Sequence, residues 1–249
     1  MKLYLTIIML RICWLCVLPL LVIIFPQALY IKKNTIRLPE ATGAKNGRVI
    51  GSEPNLKILH VGESTVAGVG VENLAAGLTA NIAQELYSHT KREIQWQTHG
   101  ENGIKLAGLL GNLKKSPLDQ CDITLVTMGV NDTSKLTTLR KWNSLIHQTI
   151  TLMQPVTRGP IIFTQVPPMM QFPALPAPLK YLLGLRSILL DLSLQRTCQN
   201  YPNVYHVGSN PKVEPKFMAQ DGYHPSELGY CEWAKSIGPK ILTSYEECQ

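Results

Sequence analysis

The 249-residue sequence predicts an α/β fold: a mostly parallel sheet covered by helices on both faces and preceded by an N-terminal hydrophobic helix. Three observations lead there. Short apolar runs of strand length recur along the chain, segments with apolar residues at helical spacing lie between them, and Gly, Pro, Asn or Asp marks most junctions.

Residues 56–61 (LKILHV) form an apolar run that stops at Gly62, the mark of a buried strand. Over 74–90, Leu74, Leu78, Ile82 and Leu86 recur at helical spacing. Residues 93–98 (EIQWQT) alternate as a strand does, and 106–114 read as helix. A second buried strand is expected at 122–128 (DITLVTM), an amphipathic helix at 136–153 and a further apolar strand at 160–166 (PIIFTQV). The prolines of 167–178 (PPMMQFPALPAP) exclude regular helix there. Helix resumes over 179–198, a short strand follows at 203–207, and 227–242 closes the chain as helix. Alternating strands and helices imply right-handed crossovers, so the loops after successive strands emerge on one edge of the sheet.

Ahead of this pattern, residues 3–31 are nearly all apolar, interrupted by Arg11, Pro19 and Pro26. Residues 12–31 offer the roughly 20 residues a spanning helix needs. A cleaved signal would require a small-x-small site, which FPQALYIKKN lacks, so the expectation is an uncleaved single-pass transmembrane anchor over 1–33. Lys32, Lys33 and Arg37 on one side and Lys2 and Arg11 on the other leave its orientation open. Residues 34–54 read as a linker and 55–249 as the main domain. The net charge of +7 gathers near the apolar run, and no helix carries a basic stripe. That distribution speaks for anionic lipid and against nucleic acid. Cys121, Cys198, Cys231 and Cys248 are scattered without CxxC pairing or histidine at zinc spacing, so no metal site is expected.

The chemistry gathers at strand ends. The first strand delivers Ser64 into the turn GEST, where a serine either caps a helix or stands as a nucleophile at the carboxyl end of the sheet. A serine hydroxyl attacks only when a base takes its proton. His224, in DGYHP, is the candidate base. Asp221, three residues earlier, can share its face in a helical turn, fix its tautomer and stabilise the imidazolium. An oxyanion needs donors already aimed at it, and the candidates are Ser64 N–H, Gly103 N–H and the Asn131 side-chain amide of GVND. No GxGxxG or GK[ST] loop follows the first strand, which disfavours a nucleotide binder.

The set GES, Gly103, GVND and DGYH resembles the four sequence blocks of the SGNH or GDSL hydrolase superfamily. The longer phrases GESTVAGVG, PPMMQFPALPAPL and DGYHPSELGY resemble a membrane-associated or exported bacterial branch of its esterases. Over residues 55–242 the resemblance implies a flavodoxin-like three-layer α/β/α sandwich with a five-stranded sheet in the order 2-1-3-4-5. It also implies ester hydrolysis without metal or organic cofactor. Ser64 would be nucleophile, His224 base, Asp221 its orienting acid, and Gly103 with Asn131 the oxyanion hole. The substrate would be a small-molecule, lipid or glycan ester; a carbohydrate O-deacetylase and a non-catalytic binding domain are the other readings of the same site. Glu63 replaces the aspartate of GDS and has no proton-transfer role in that scheme. Met169, Met170 and Phe172 either wall a substrate pocket or cover the sheet and touch a membrane.

Overall fold

The computed structural model describes residues 2–115, 117–209 and 214–249. Six strands form one sheet: β1 (Asn46–Val49), β2 (Glu53–Gly62), β3 (Arg92–Gly100), β4 (Ile123–Thr127), β5 (Ile161–Thr164) and β6 (Val204–Val207). Their order is β1-β3-β2-β4-β5-β6, parallel throughout except for β1, which runs antiparallel to β3. The five parallel strands therefore follow the expected 2-1-3-4-5 order, and the sixth corrects the expected count. β1 escapes sequence reasoning because NGRV carries no apolar alternation. It lies within the stretch expected as a linker, and Gly47 leaves room there for the Trp96 ring to cover the sheet edge.

Eight α-helices accompany the strands among the described residues: α1 (Lys2–Val17), α2 (Leu21–Asn34), α3 (Leu78–Thr90), α4 (Leu106–Leu113), α5 (Val130–Ser134), α6 (Leu139–Met153), α7 (Leu179–Cys198) and α8 (Glu227–Glu246). The period-two alternation of strand side chains sorts the core into two faces. Leu59 and Val61 of β2 pack with Val126 and Phe163 under α4, α6 and α7. Leu56 and Ile58 face the other way, with Ile94, Ile123, Leu125 and Ile162 under α3 and α8. Every residue of β4 is buried, as a central strand covered on both faces must be. The Pro-rich stretch holds one turn of 3-10 helix, Met169–Gln171.

The single-pass anchor is overturned. Pro19 cannot donate to the helical ladder, and the apolar run breaks at a 3-10 turn, Leu18–Leu20, into helices of 16 and 14 residues. At about 1.5 Å per residue each is shorter than the roughly 30 Å hydrocarbon core. No described helix is long and apolar enough to cross a membrane, which overturns the single-pass anchor, the membrane-anchored localisation and the contact with a membrane through a spanning N-terminal helix. Both helices pack on α7 instead. Ile7 and Trp14 meet Leu189, and Ile24 joins Phe172, Leu179 and Leu182. The buried Arg186 guanidinium stacks 4.7 Å from the Trp14 ring and donates to the Thr137 carbonyl.

Candidate active site

β2 runs in register with its neighbours until Gly62 stands beside Gly100 of β3 and Thr127 of β4. The loops that leave these three strands therefore share one edge, and they carry Ser64, Gly103 and Asn131. The loop after β6 brings Asp221 and His224 to the same edge. Gly70 permits that approach: its φ is +106°, and a Cβ there would sit 2.3 Å from the Pro225 carbonyl oxygen.

Ser64, His224 and Asp221 form a continuous hydrogen-bonded chain. Ser64 Oγ lies 2.8 Å from His224 Nε2, and His224 Nδ1 lies 2.5 Å from Asp221 Oδ2. The other Asp221 oxygen accepts from the backbone N–H groups of Tyr223 (2.9 Å) and His224 (3.0 Å), which locks the carboxylate in place. Burial works to raise the Asp221 carboxyl, but the hydrogen bonds from the His224 ring and backbone outweigh it and hold the group below the ordinary carboxylate range. An ionised Asp221 keeps the imidazole proton on Nδ1 and leaves Nε2 free to accept from the serine.

Asn131 is the second residue of the short helix α5, which begins where Gly129 breaks the chain after β4. The residue that fixes it is Glu63. Its carboxylate accepts from Val130 N–H (2.9 Å), Asn131 N–H (3.0 Å) and the Asn131 side-chain amide (2.6 Å). An amide nitrogen carries two protons, so Asn131 keeps one for another acceptor. Burial pushes the Glu63 carboxyl up to about 6, against the three N–H groups that favour its charge. The sequence signal for this cradle was present in GES, but only the fold shows what the carboxylate reaches. Asp132, next in sequence, accepts from Leu106 N–H (2.8 Å) and the Thr137 hydroxyl (2.6 Å) and holds the loops together. Gly103 has φ +75°, a conformation that favours glycine, while the space at its missing Cβ is open.

Two cavities meet here. One of about 170 Å³ is lined by Ser64, Thr65, Asn131, Phe172, Trp233 and His224. The other, about 820 Å³, contains Gly103, Asn131 and His224 at one end. Phe172 thus reaches the site, with its ring edge-on to Tyr223 at 5.9 Å. Met169 is fully buried in the cluster with Ile24 and Leu182, Met170 packs over Gly184, and neither lines either of these two cavities. Sequence reasoning missed Thr65, Tyr223 and Trp233. Tyr223 sat inside DGYH, whereas Trp233 lies on α8 and comes to line the same cavity as Ser64 only through the fold. The Thr65 hydroxyl and Trp233 indole N–H are buried and have no hydrogen-bond partner among the described residues.

No family model matches the sequence, and no curated protein sequence is significantly similar. Solved structures do share the fold. A lipase/acylhydrolase from Enterococcus faecalis is 21% identical, with 78% of this chain and 99% of that one covered at a TM-score of 0.58. A member of the lipolytic protein G-D-S-L family from Veillonella parvula is 16% identical, covering 76% and 98%, with a TM-score of 0.58. A mutant of an acetyl-xylooligosaccharide esterase from a Geobacillus is 16% identical, covering 77% and 95%, with a TM-score of 0.55. At these identities the likeness is one of fold, that of GDSL or SGNH lipolytic hydrolases. It does not single out a membrane-associated or exported branch.

Proposed function

We propose that this protein is a serine esterase that cleaves carboxylic esters through an acyl-enzyme on Ser64. The observation that carries the reading is the unbroken chain from the Ser64 hydroxyl through His224 to Asp221, at 2.8 and 2.5 Å. Ser64 Oγ attacks the ester carbonyl as His224 Nε2 takes its proton, and Asp221 stabilises the imidazolium. Ser64 N–H, Gly103 N–H and the free Asn131 amide proton receive the tetrahedral oxyanion, with Glu63 holding Asn131 in place. His224 returns the proton to the leaving oxygen. Water activated by the same nitrogen then releases the acid. All the reacting groups lie within residues 55–249, the extent we assign to the hydrolase domain, and the scheme calls for no metal or organic cofactor.

Ser64→Ala should lower kcat on p-nitrophenyl acetate at least about 10³-fold and abolish labelling by a fluorophosphonate probe. Wild-type turnover in the alanine variant would remove the nucleophile, and a wild-type protein that neither turns over nor labels would point to a binding domain. The small cavity of about 170 Å³ and the fold shared with an acetyl-xylooligosaccharide esterase favour a second reading, removal of acetyl groups from a glycan by the same residues.

A further inference from the structure

The larger cavity is not accounted for by the chemistry at Ser64. From Gly103, Asn131 and His224 it runs between α2 and α7, and its volume of about 820 Å³ lies within the roughly 300–1,000 Å³ of ligand pockets. Its deeper walls are aliphatic: Ile24, Ala28 and Ile31 from α2 face Leu179, Leu182 and Leu183 of α7. Phe25 and Leu29, both half exposed or more, carry the apolar lining to the rim. Its polar lining comes from outside the two helices, chiefly Thr35, Arg37, Asn131, Ser134 and Lys135, and the Lys135 Nζ is already committed to the Gly103 carbonyl at 2.7 Å. Between the side chains that α2 and α7 contribute, all of them apolar, a sugar would meet no hydrogen-bond partner. An alkyl chain would lose only water.

The α2 wall is fixed by a specific polar contact as well as by packing. Gln27 Nε2 donates to the Ala177 carbonyl (2.9 Å), and its Oε1 accepts from the Leu179 N–H (3.3 Å), so one amide ties the middle of α2 to the first turn of α7. This is the segment whose composition suggested a membrane span. Ile24, Phe25, Ala28, Leu29 and Ile31 of this segment line the groove that also takes in His224.

We propose that α2 is part of the substrate site, and that the groove between α2 and α7 takes the long unbranched apolar chain of an ester whose carbonyl lies at Ser64. The proposal rests on the esterase reading above and adds the substrate class to it. The chain can belong to the acid or to the alcohol half of the ester, since the groove shares Asn131, Tyr223 and His224 with the smaller cavity.

The test uses the full-length protein and two substrate series, p-nitrophenyl esters from acetate to dodecanoate and alkyl acetates from ethyl to dodecyl. In one of them kcat/KM should climb by up to about fourfold per added methylene over the first several carbons. A rise in the first series puts the chain on the acid, and a rise in the second puts it on the alcohol. Ala28→Trp, which fills the groove, should cut the long-to-short ratio of kcat/KM at least about tenfold, and Ala28→Leu should do so less steeply while asking less of the fold. Ser64→Ala protein should bind a dansylated fatty acid, and the added Ala28→Trp change should weaken that binding. Turnover of acetates with no rise in either series overturns the groove and leaves the esterase standing. A rise indifferent to both Ala28 variants removes α2 from the site. If no ester is cleaved and no fluorophosphonate label appears, the esterase reading fails, and dansyl acid binding alone then upholds or overturns the groove.

Discussion

Two histidines of this molecule make nearly the same hydrogen bonds to partners of opposite character. His60, in the middle of β2, is fully buried with Nδ1 2.8 Å from the Thr79 hydroxyl and Nε2 2.8 Å from the Thr127 hydroxyl. His224, at the sheet edge, also engages both nitrogens, but its partners are a carboxylate and the Ser64 hydroxyl. A neutral hydroxyl on each side satisfies an imidazole without favouring its charge, and burial lowers His60 to about 3. On the proposed mechanism, a carboxylate on one side would stabilise the imidazolium as the serine gives up its proton. Ring satisfaction therefore does not make a base. The charge of the partner behind the ring does, together with a cavity in front of it.

The sharpest way to break this comparison is to remove each ring in turn. His224→Ala should cost at least about 10³-fold in kcat, with the urea-unfolding midpoint little changed. If the variant keeps its activity, the base lies elsewhere. A smaller effect belongs to the cradle behind Asn131. In Glu63→Gln an acceptor oxygen becomes an NH2 group that faces the N–H donors of Val130 and Asn131. The loss of a charge-assisted hydrogen bond should lower kcat about 10–10²-fold while KM stays close to wild type. The pH dependence supplies the sign. Because burial raises the wild-type carboxyl to about 6, it takes up a proton as the pH falls through that value, and one of its oxygens turns donor. The advantage of wild type over Glu63→Gln should therefore be full above pH about 6 and narrow below it. A constant ratio across that range would separate Glu63 ionisation from catalysis.

How much of this was legible in the sequence follows from the range of each interaction. The hydrogen-bonded chain proposed as the triad drew on local sequence: GEST and DGYHP are turns at strand ends, and Asp221 reaches His224 across three residues. The order of the five parallel strands came with the family resemblance those motifs carry. β1 was not legible, since an edge strand pairs through its backbone and NGRV needs no apolar pattern to do so. Nor was the fate of the N-terminal run. Composition counts apolar residues, but whether they face lipid or protein depends on Pro19 breaking the helix and on Trp14 and Ile24 finding partners on α7. The Glu63 cradle lies between these cases: its residue stands beside Ser64, while its partners come from 67 and 68 positions away.

The last comparison is between the two histidines as contributors to stability, where their importance reverses. His60→Gln keeps one donor and one acceptor but shortens the reach to Thr79 and Thr127, and at pH 7 it should destabilise the protein by about 1–3 kcal/mol through a poorly satisfied buried group, with kcat little changed. Acid should erase and then invert that difference. The folded-state value of about 3 lies below the ordinary 6.5, so between those limits the unfolded chain binds a proton that the folded chain refuses. Wild type thus holds the full contribution of neutral His60 above pH 6.5 and loses it as the pH falls towards 3, a linkage on the order of 5 kcal/mol for 3.5 pH units at 1.36 kcal/mol each. Glutamine does not titrate and loses nothing by that route. Urea unfolding of both proteins at pH 7 and pH 4 should show wild type the more stable at the first and the variant at the second. Parallel losses at both pH values would mean that His60 is protonated within the fold, and the contrast with His224 would then have to rest on the cavity alone.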